Sequence, residues 1–330
     1  MSLSRDTEFR IQLALDSAWA DSTQRKYRGT ITNFLNFCDS ECVPLQDRCP
    51  ASEHLLCAFA SSRLGTVAGS TVQSHISALK AWHAYRNAPW KGAIRLKLVL
   101  NGVSNRAPHS SLLPPRPPVT RAMLVVLASN LSPTDPFDCC CLAAATSAFW
   151  GQLRLGEILS PWESSYPSAH ITCRLHLSDP INSNGSRKLH LPFTKVRKNK
   201  GEEVILCRQR DSSDPIVAIE HHLRLSILSP NHPLFSYALS SGFACLTRRK
   251  FLARCNSIWV HAGFKAVTGH SFRIGGTTEM LLSGVPPDVV KALGRWSSDS
   301  FLRYWRSLEL LAPLHVENLK HCMLVSPPSA

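Results

Sequence analysis

Two proline pairs, Pro114-Pro115 and Pro117-Pro118, flank Arg116 within the stretch Leu112–Val119. Proline fixes φ and donates no backbone hydrogen bond, so paired prolines make an extended, semi-rigid connector rather than part of a helix or a central strand. This is the clearest break in the 330-residue chain. It predicts two domains, 1–111 and 120–330, joined by a linker at 112–119.

Hydrophobic residues make up 44% of the chain, which excludes a mainly disordered protein. The formal net charge of +14 favours a polyanionic partner, with nucleic acid ahead of a membrane surface; a bland basic surface is the alternative. The N-terminus lacks an apolar signal segment and no uninterrupted apolar run is long enough to span a bilayer, so a soluble intracellular protein without a membrane partner is expected. The 12 cysteines include the run Cys139-Cys140-Cys141. Neighbouring side chains diverge on a helix, so that run is no disulfide framework. Cys38 and Cys42 have no second Cys/His pair at zinc spacing, which points to reduced thiols and no metal.

Before the linker, residues 1–20 are weakly patterned, although Ile11, Leu13, Leu15 and Trp19 suit the start of a helix. Behind a Ser22-Thr23 cap, Tyr27, Ile31, Phe34, Leu35 and Cys38 recur at helical spacing. Further helices are predicted over Glu53–Arg63, after Ser70-Thr71 (Val72, Ile76, Leu79, Trp82) and over Lys91–Val103. Together they make a compact four-helix bundle. Thr23, Arg25, Lys26 and Lys80 are candidate DNA contacts, with a solvated charged face as the plainer reading.

After the linker, helices are predicted over Arg121–Leu131 and Asp135–Trp150, the second rich in alanine and cysteine as a buried helix would be. Alternating apolar and polar residues predict strands over His170–Leu177, Arg187–Phe193 and Glu203–Cys207, with Ser178–Ser186 as an inserted loop and Val196–Gly201 as a turn. Helices follow at Pro215–Leu228 and Thr247–Ala262. The fold class expected is mainly α with a small antiparallel β-sheet. One more short amphipathic segment, Leu314–Met323, precedes a Pro/Ser end.

The richest stretch is Gly269-His270-Ser271-Phe272-Arg273-Ile274-Gly275-Gly276. A three-residue spacing at a helix start puts His270 and Arg273 on one face. First-turn N–H groups favour an anion there, histidine can move a proton, and arginine can grip two phosphate oxygens. Beyond it, Pro286-Pro287 opens a predicted helix running through Val289, Val290 and Leu293 to Trp296, and Ser297-Ser298 caps a short one with Phe301, Tyr304 and Trp305. Upstream, Arg154 and Glu157 stand one helical turn apart in Gly151-Gln152-Leu153-Arg154-Leu155-Gly156-Glu157. Taken singly, such residues are ordinary surface pairs or core aromatics; their joint arrangement is not.

His270-x-x-Arg273, Gly294-Arg295-Trp296, Tyr304 and the Arg154 motif together resemble the active site of the tyrosine recombinases, the phage integrase family. Tryptophan replaces the second histidine of many members, which is most similar to the recombinases of Crypton and DIRS-type mobile elements. The resemblance covers about Thr120 to Leu310 well. The N-terminal bundle resembles the SAM-like core-binding domain only in general pattern. The tryptophan-to-tyrosine interval, Trp296 to Tyr304, is about one residue shorter than the family's.

The resemblance implies a role for each residue. Arg154 and Arg273 clamp the scissile phosphate, and the Trp296 indole donates it one more hydrogen bond. Tyr304 is the nucleophile, His270 the base or proton shuttle, and Glu157 orients the arginine. Lys195, beside Thr194 on the second hairpin, takes the general-acid role. For Lys195–Lys200 a solvated hairpin tip and a nuclear-localisation patch are the other readings. The implied activity is metal- and ATP-independent strand exchange on double-stranded DNA. A homotetramer exchanging C-terminal tails is implied, nuclear if the source is eukaryotic. A DNA-binding protein that has lost cutting and a type IB topoisomerase are the competing functions.

Overall fold

The computed structural model describes residues 3–304 apart from 113, 165, 167 and 168, and side chains other than those of 300, 303 and 304. The chain divides into two compact units, Met1–Pro115 and Arg116–Ala330. Among the described residues no helix is long and apolar enough to cross a membrane.

The first unit holds α1 (Arg5–Asp16), α2 (Asp21–Ser40), α3 (Glu53–Ser61), α4 (Gly69–Tyr85) and α5 (Ile94–Asn105). The weak N-terminal pattern is thus a helix of its own, capped by Ser4 and burying none of its residues. The expected stripes close the core. Phe34 and Phe59 meet edge to face with centroids 5.2 Å apart, over fully buried Leu56, Val72 and Leu79. Glu53 Oε1 accepts the N–H groups of Ala93 (2.8 Å) and Leu96 (3.1 Å), a carboxylate at the N-terminus of α5. Arg25, Lys26 and Lys80 are exposed and Thr23 half-buried, on α2 and α4.

The second unit is built on α6 (Arg121–Asn130) and α7 (Pro136–Trp150). The side chains of Thr120 and Asp135 accept the N–H groups of Met123 and Asp138, as N-caps do. From Asp138 to Phe149 every residue of α7 except Leu142 is buried, so the helix is enclosed on nearly every side. Its one buried carboxylate, Asp138, receives Nε and Nη2 of Arg254, each at 2.7 Å. The described cysteines are all free thiols.

A short α8 (Leu155–Ile158) leads into the three-stranded antiparallel sheet β1 (Leu177–Pro180), β2 (Arg187–Leu191) and β3 (Glu202–Leu206). Residues 170–177 are not the expected strand. Arg174–His176 is a 3-10 turn, because Cys173 N–H is taken by His176 Nδ1 (2.9 Å) while Arg174 and Leu175 N–H bond to His232 and Pro230 carbonyls. The strand starts at Leu177 and uses the first residues of the stretch expected to be a loop. β2 stops at Leu191 because Pro192 has no N–H for a ladder.

Then come α9 (Pro215–Ser226), the hairpin β4 (Ser236–Leu239) and β5 (Gly242–Cys245), α10 (Arg248–His261), α11 (Gly269–Leu282) and α12 (Pro287–Leu293). The β4–β5 hairpin was not anticipated. α12 ends at Leu293, short of Trp296, and a 3-10 helix spans Asp299–Tyr304. Trp305 and the segment 314–323 lie outside the described residues.

Candidate functional site

α11 enters the core of its unit through two glycines. A Cβ on Gly275 would stand 2.0 Å from the Val119 carbonyl oxygen, and one on Gly276 would stand 1.9 Å from that of Phe149. Only glycine permits this approach to the end of α7. Gly269 likewise faces Leu155, where an added Cβ would be 2.8 Å from Cδ1. The start of α11, carrying half-buried His270, therefore lies against the residue that follows Arg154.

The close approach buries Arg273 completely. Its Nη1 donates to the carbonyl of Gln152 (2.7 Å) and its Nη2 to that of Gly294 (2.5 Å). Its Cζ sits 3.9 Å above the Trp296 ring, a cation–π contact. Gln152, at φ +47°, organises the same place from below. Its Oε1 accepts Thr277 Oγ1–H (2.7 Å) and Trp296 Nε1–H (3.3 Å). Arg273 and Trp296 are thus brought together, with Phe301 of the terminal 3-10 helix packed on Ile274 and Trp296. The backbone of Tyr304 ends that helix. The Tyr304 side chain is outside the described residues.

A second cluster surrounds Glu157, itself only 5% exposed. Arg154 gives it both its backbone N–H (2.9 Å, to Oε2) and Nη1 (2.7 Å, to Oε1). Arg295 Nη2 bonds Oε2 at 2.9 Å, and Arg295 Nε lies 3.6 Å from Glu202 Oε2. Burial lowers the pKa of Arg295 from the ordinary arginine value, against the pull of Glu157 and Glu202. The resemblance implies no role for Arg295. Its only signal in the sequence is its place between Gly294 and Trp296, which says nothing of a partner at Glu157.

Lys195 differs in character: it is exposed, in the β2–β3 loop, inside the tight turn closed by Thr194 and Lys198. Thr194 is fully buried and its Oγ1 accepts Arg197 N–H (3.0 Å), anchoring the loop beside the lysine. Among the described residues no group of His, Cys, Asp and Glu could hold a metal ion.

No family model and no curated protein matches the chain. Solved structures do. The chain is similar to the XerH site-specific recombinase bound to palindromic difH substrate in a post-cleavage complex (TM-score 0.53, 13% identity, 85% of this chain and 73% of that one). It is also similar to the Tn1549 transposon integrase with transposon right-end DNA (0.52, 12%, 89% and 93%). With circular-intermediate DNA the same integrase gives 0.52, 14%, 94% and 98%. At these identities the likeness is one of architecture, and the chain has the tyrosine recombinase fold.

Proposed function

We propose that this protein is a site-specific DNA recombinase of mobile-element type, which cleaves and rejoins double-stranded DNA through a 3′-phosphotyrosyl intermediate. The observation that carries the reading is that one short segment, 152–157, serves both clusters: Glu157 holds Arg154, while the Gln152 carbonyl holds Arg273, which stacks on Trp296. Two guanidinium groups anchored on the residues that follow α7 suit a phosphodiester, whose charge grows in the transition state.

In this reading the Tyr304 oxygen attacks phosphorus. The P–O bond to tyrosine forms as the P–O5′ bond breaks. His270 takes the phenol proton, which an ordinary tyrosine pKa of about 10 would otherwise retain, and Lys195 gives a proton to the departing 5′-oxygen. The phosphotyrosine keeps the bond energy, and a 5′-hydroxyl from a second strand reverses the step. Tetramer assembly on two duplexes with exchanged tails, and a nuclear location, belong to the same proposal. Thr23, Arg25, Lys26 and Lys80 would add phosphate contacts from the first unit.

A second reading, DNA binding without cleavage, draws on the burial of Arg273. Two of its nitrogens are committed to backbone carbonyls, so reaching a phosphate requires local rearrangement. A nicked suicide duplex carrying the end of the protein's own element separates the two. Recombination predicts a covalent protein–DNA band that disappears in Tyr304→Phe. Tight binding with no such band supports the second reading, and relaxation of any supercoiled plasmid supports a topoisomerase.

A further inference from the structure

The Arg295 side chain is buried, and its charged partners, Glu157 and Glu202, are not those of Arg273. The Arg295 backbone is left-handed (φ +55°), a conformation that costs free energy in any residue but glycine and persists only where the surroundings enforce it. Here adjacent residues reach different partners: Trp296 stacks on Arg273, while the Arg295 guanidinium lies between Glu157 of α8 and Glu202 of β3. Its side chain is 6% exposed, and those of its partners Glu157 and Glu202 are 5% and 14% exposed. Nη1 also lies 3.4 Å from the Gly151 carbonyl oxygen, at the end of α7. Two guanidinium groups, Arg154 and Arg295, thus meet two carboxylates in a charge-balanced quartet.

The two carboxylates lead to different parts of the site. Glu157 holds Arg154. Glu202 pairs with Leu191 in the last rung of the β2–β3 ladder before the loop that bears Lys195. A cleft lined by Arg295, Glu202, Gly201, Lys200, Arg197 and His190 runs beneath that loop. We propose that Arg295 is a positioning residue, which ties the carboxylate orienting Arg154 to the base of the Lys195 loop and so sets phosphate clamp and proton donor with one guanidinium. This rests on the recombinase reading for its catalytic consequence. Arg295 hydrogen-bonds Glu157 and the Gly151 carbonyl and faces Glu202 at ion-pair distance without a hydrogen bond; the planar fork of arginine can hold these directions at once, whereas a lysine ammonium supplies the charge but not the directions.

The test uses the full chain on the nicked suicide duplex at saturating DNA, following the rate and the amplitude of covalent adduct formation separately. Arg295→Met should lower the rate about tenfold or more, while the dissociation constant for duplex changes less than about threefold. Arg295→Lys should recover part of the rate. Glu202→Gln leaves the Arg295–Glu157 bond in place, so it keeps the idea testable if Arg295→Met folds poorly. It should lower the rate too, and the double variant should be no slower than Arg295→Met alone, as for groups acting through one link. A merely structural role would reduce amplitude and thermal stability and leave the rate of the surviving molecules unchanged; that result overturns the proposal, as does a Glu202→Gln rate equal to wild type. Amide hydrogen exchange adds a readout independent of cleavage: residues 192–201 should exchange faster in Arg295→Met. Unchanged exchange there sinks the link even in a protein that does not cut. A wild-type chain that forms no adduct while exchange responds as expected fails the recombinase reading instead.

Discussion

Under the proposed chemistry, Arg273 and Lys195 bring the same charge to the same phosphate, and they stand on opposite kinds of support. Arg273 projects from a helix that two glycines seat against the end of α7, and is gripped by two carbonyls and an indole face with no exposed surface. Lys195 is exposed, on a loop held by buried Thr194 and by the rung below it. A buried cation contributes to the fold as well as to any chemistry, because removing it strands the acceptors it satisfied. An exposed one can be removed without the fold noticing. The difference separates stability from activity along a single set of basic residues.

The sharpest way to break the contrast is Arg273→Ala. It leaves the Gln152 and Gly294 carbonyls without this donor and opens a cavity above Trp296, so the unit should lose roughly 4 kcal/mol in urea unfolding along with all cleavage. A loss below about 0.5 kcal/mol would mean the burial carries no weight. Gly276→Ala attacks the same support from behind. A methyl group directed at the Phe149 carbonyl should cost about 2–3 kcal/mol and weaken cleavage by shifting α11, leaving direct contacts unmutated.

Acid offers a reversible version. His222 on α9 is fully buried, its Nε2–H donated to the Leu234 carbonyl (3.0 Å), and burial depresses its pKa to about 4. The unfolded chain would bind that proton near pH 6.5. The stability is therefore complete above pH 6.5 and is lost as pH falls from 6.5 toward 4, about 3 kcal/mol over that window. A His222→Gln variant, whose amide keeps a donor for Leu234, should flatten the denaturation profile between those limits; an unchanged profile would reject the assignment. Lys195→Ala closes the series with the smallest effect on stability, within about 0.5 kcal/mol of wild type. Under the proposed chemistry it should nonetheless slow single-turnover cleavage by about a hundredfold or more, with rescue by a duplex whose 5′-leaving group needs no proton. Measurable unfolding in this variant would erase the distinction drawn between the two cations.

Much of the scaffold was legible because it is local. The caps at Thr120, Asp135 and Thr247 each satisfy a backbone N–H three residues ahead, and the stripes of α2, α4 and α10 bury the faces their spacing predicts. The β4–β5 hairpin escaped notice because four residues per strand are too few to establish a period. Residues 170–177 alternate as a strand does, but their backbone partners lie in an irregular segment near Pro230–Leu234.

A resemblance carried by short motifs along the chain was enough to nominate Arg154, Glu157, Lys195, His270, Arg273, Trp296 and Tyr304 together and to mark the short step between Trp296 and Tyr304 as odd. It was not enough to say that Glu157 is shared with Arg295, 138 positions away, or that Arg273 would be spent partly on a carbonyl 121 positions away. Those contacts exist only once α7, α11 and β3 have closed on one another. A buried charge takes whatever partner the packed core leaves within reach, and that choice is a property of the closed structure rather than of any window along the chain.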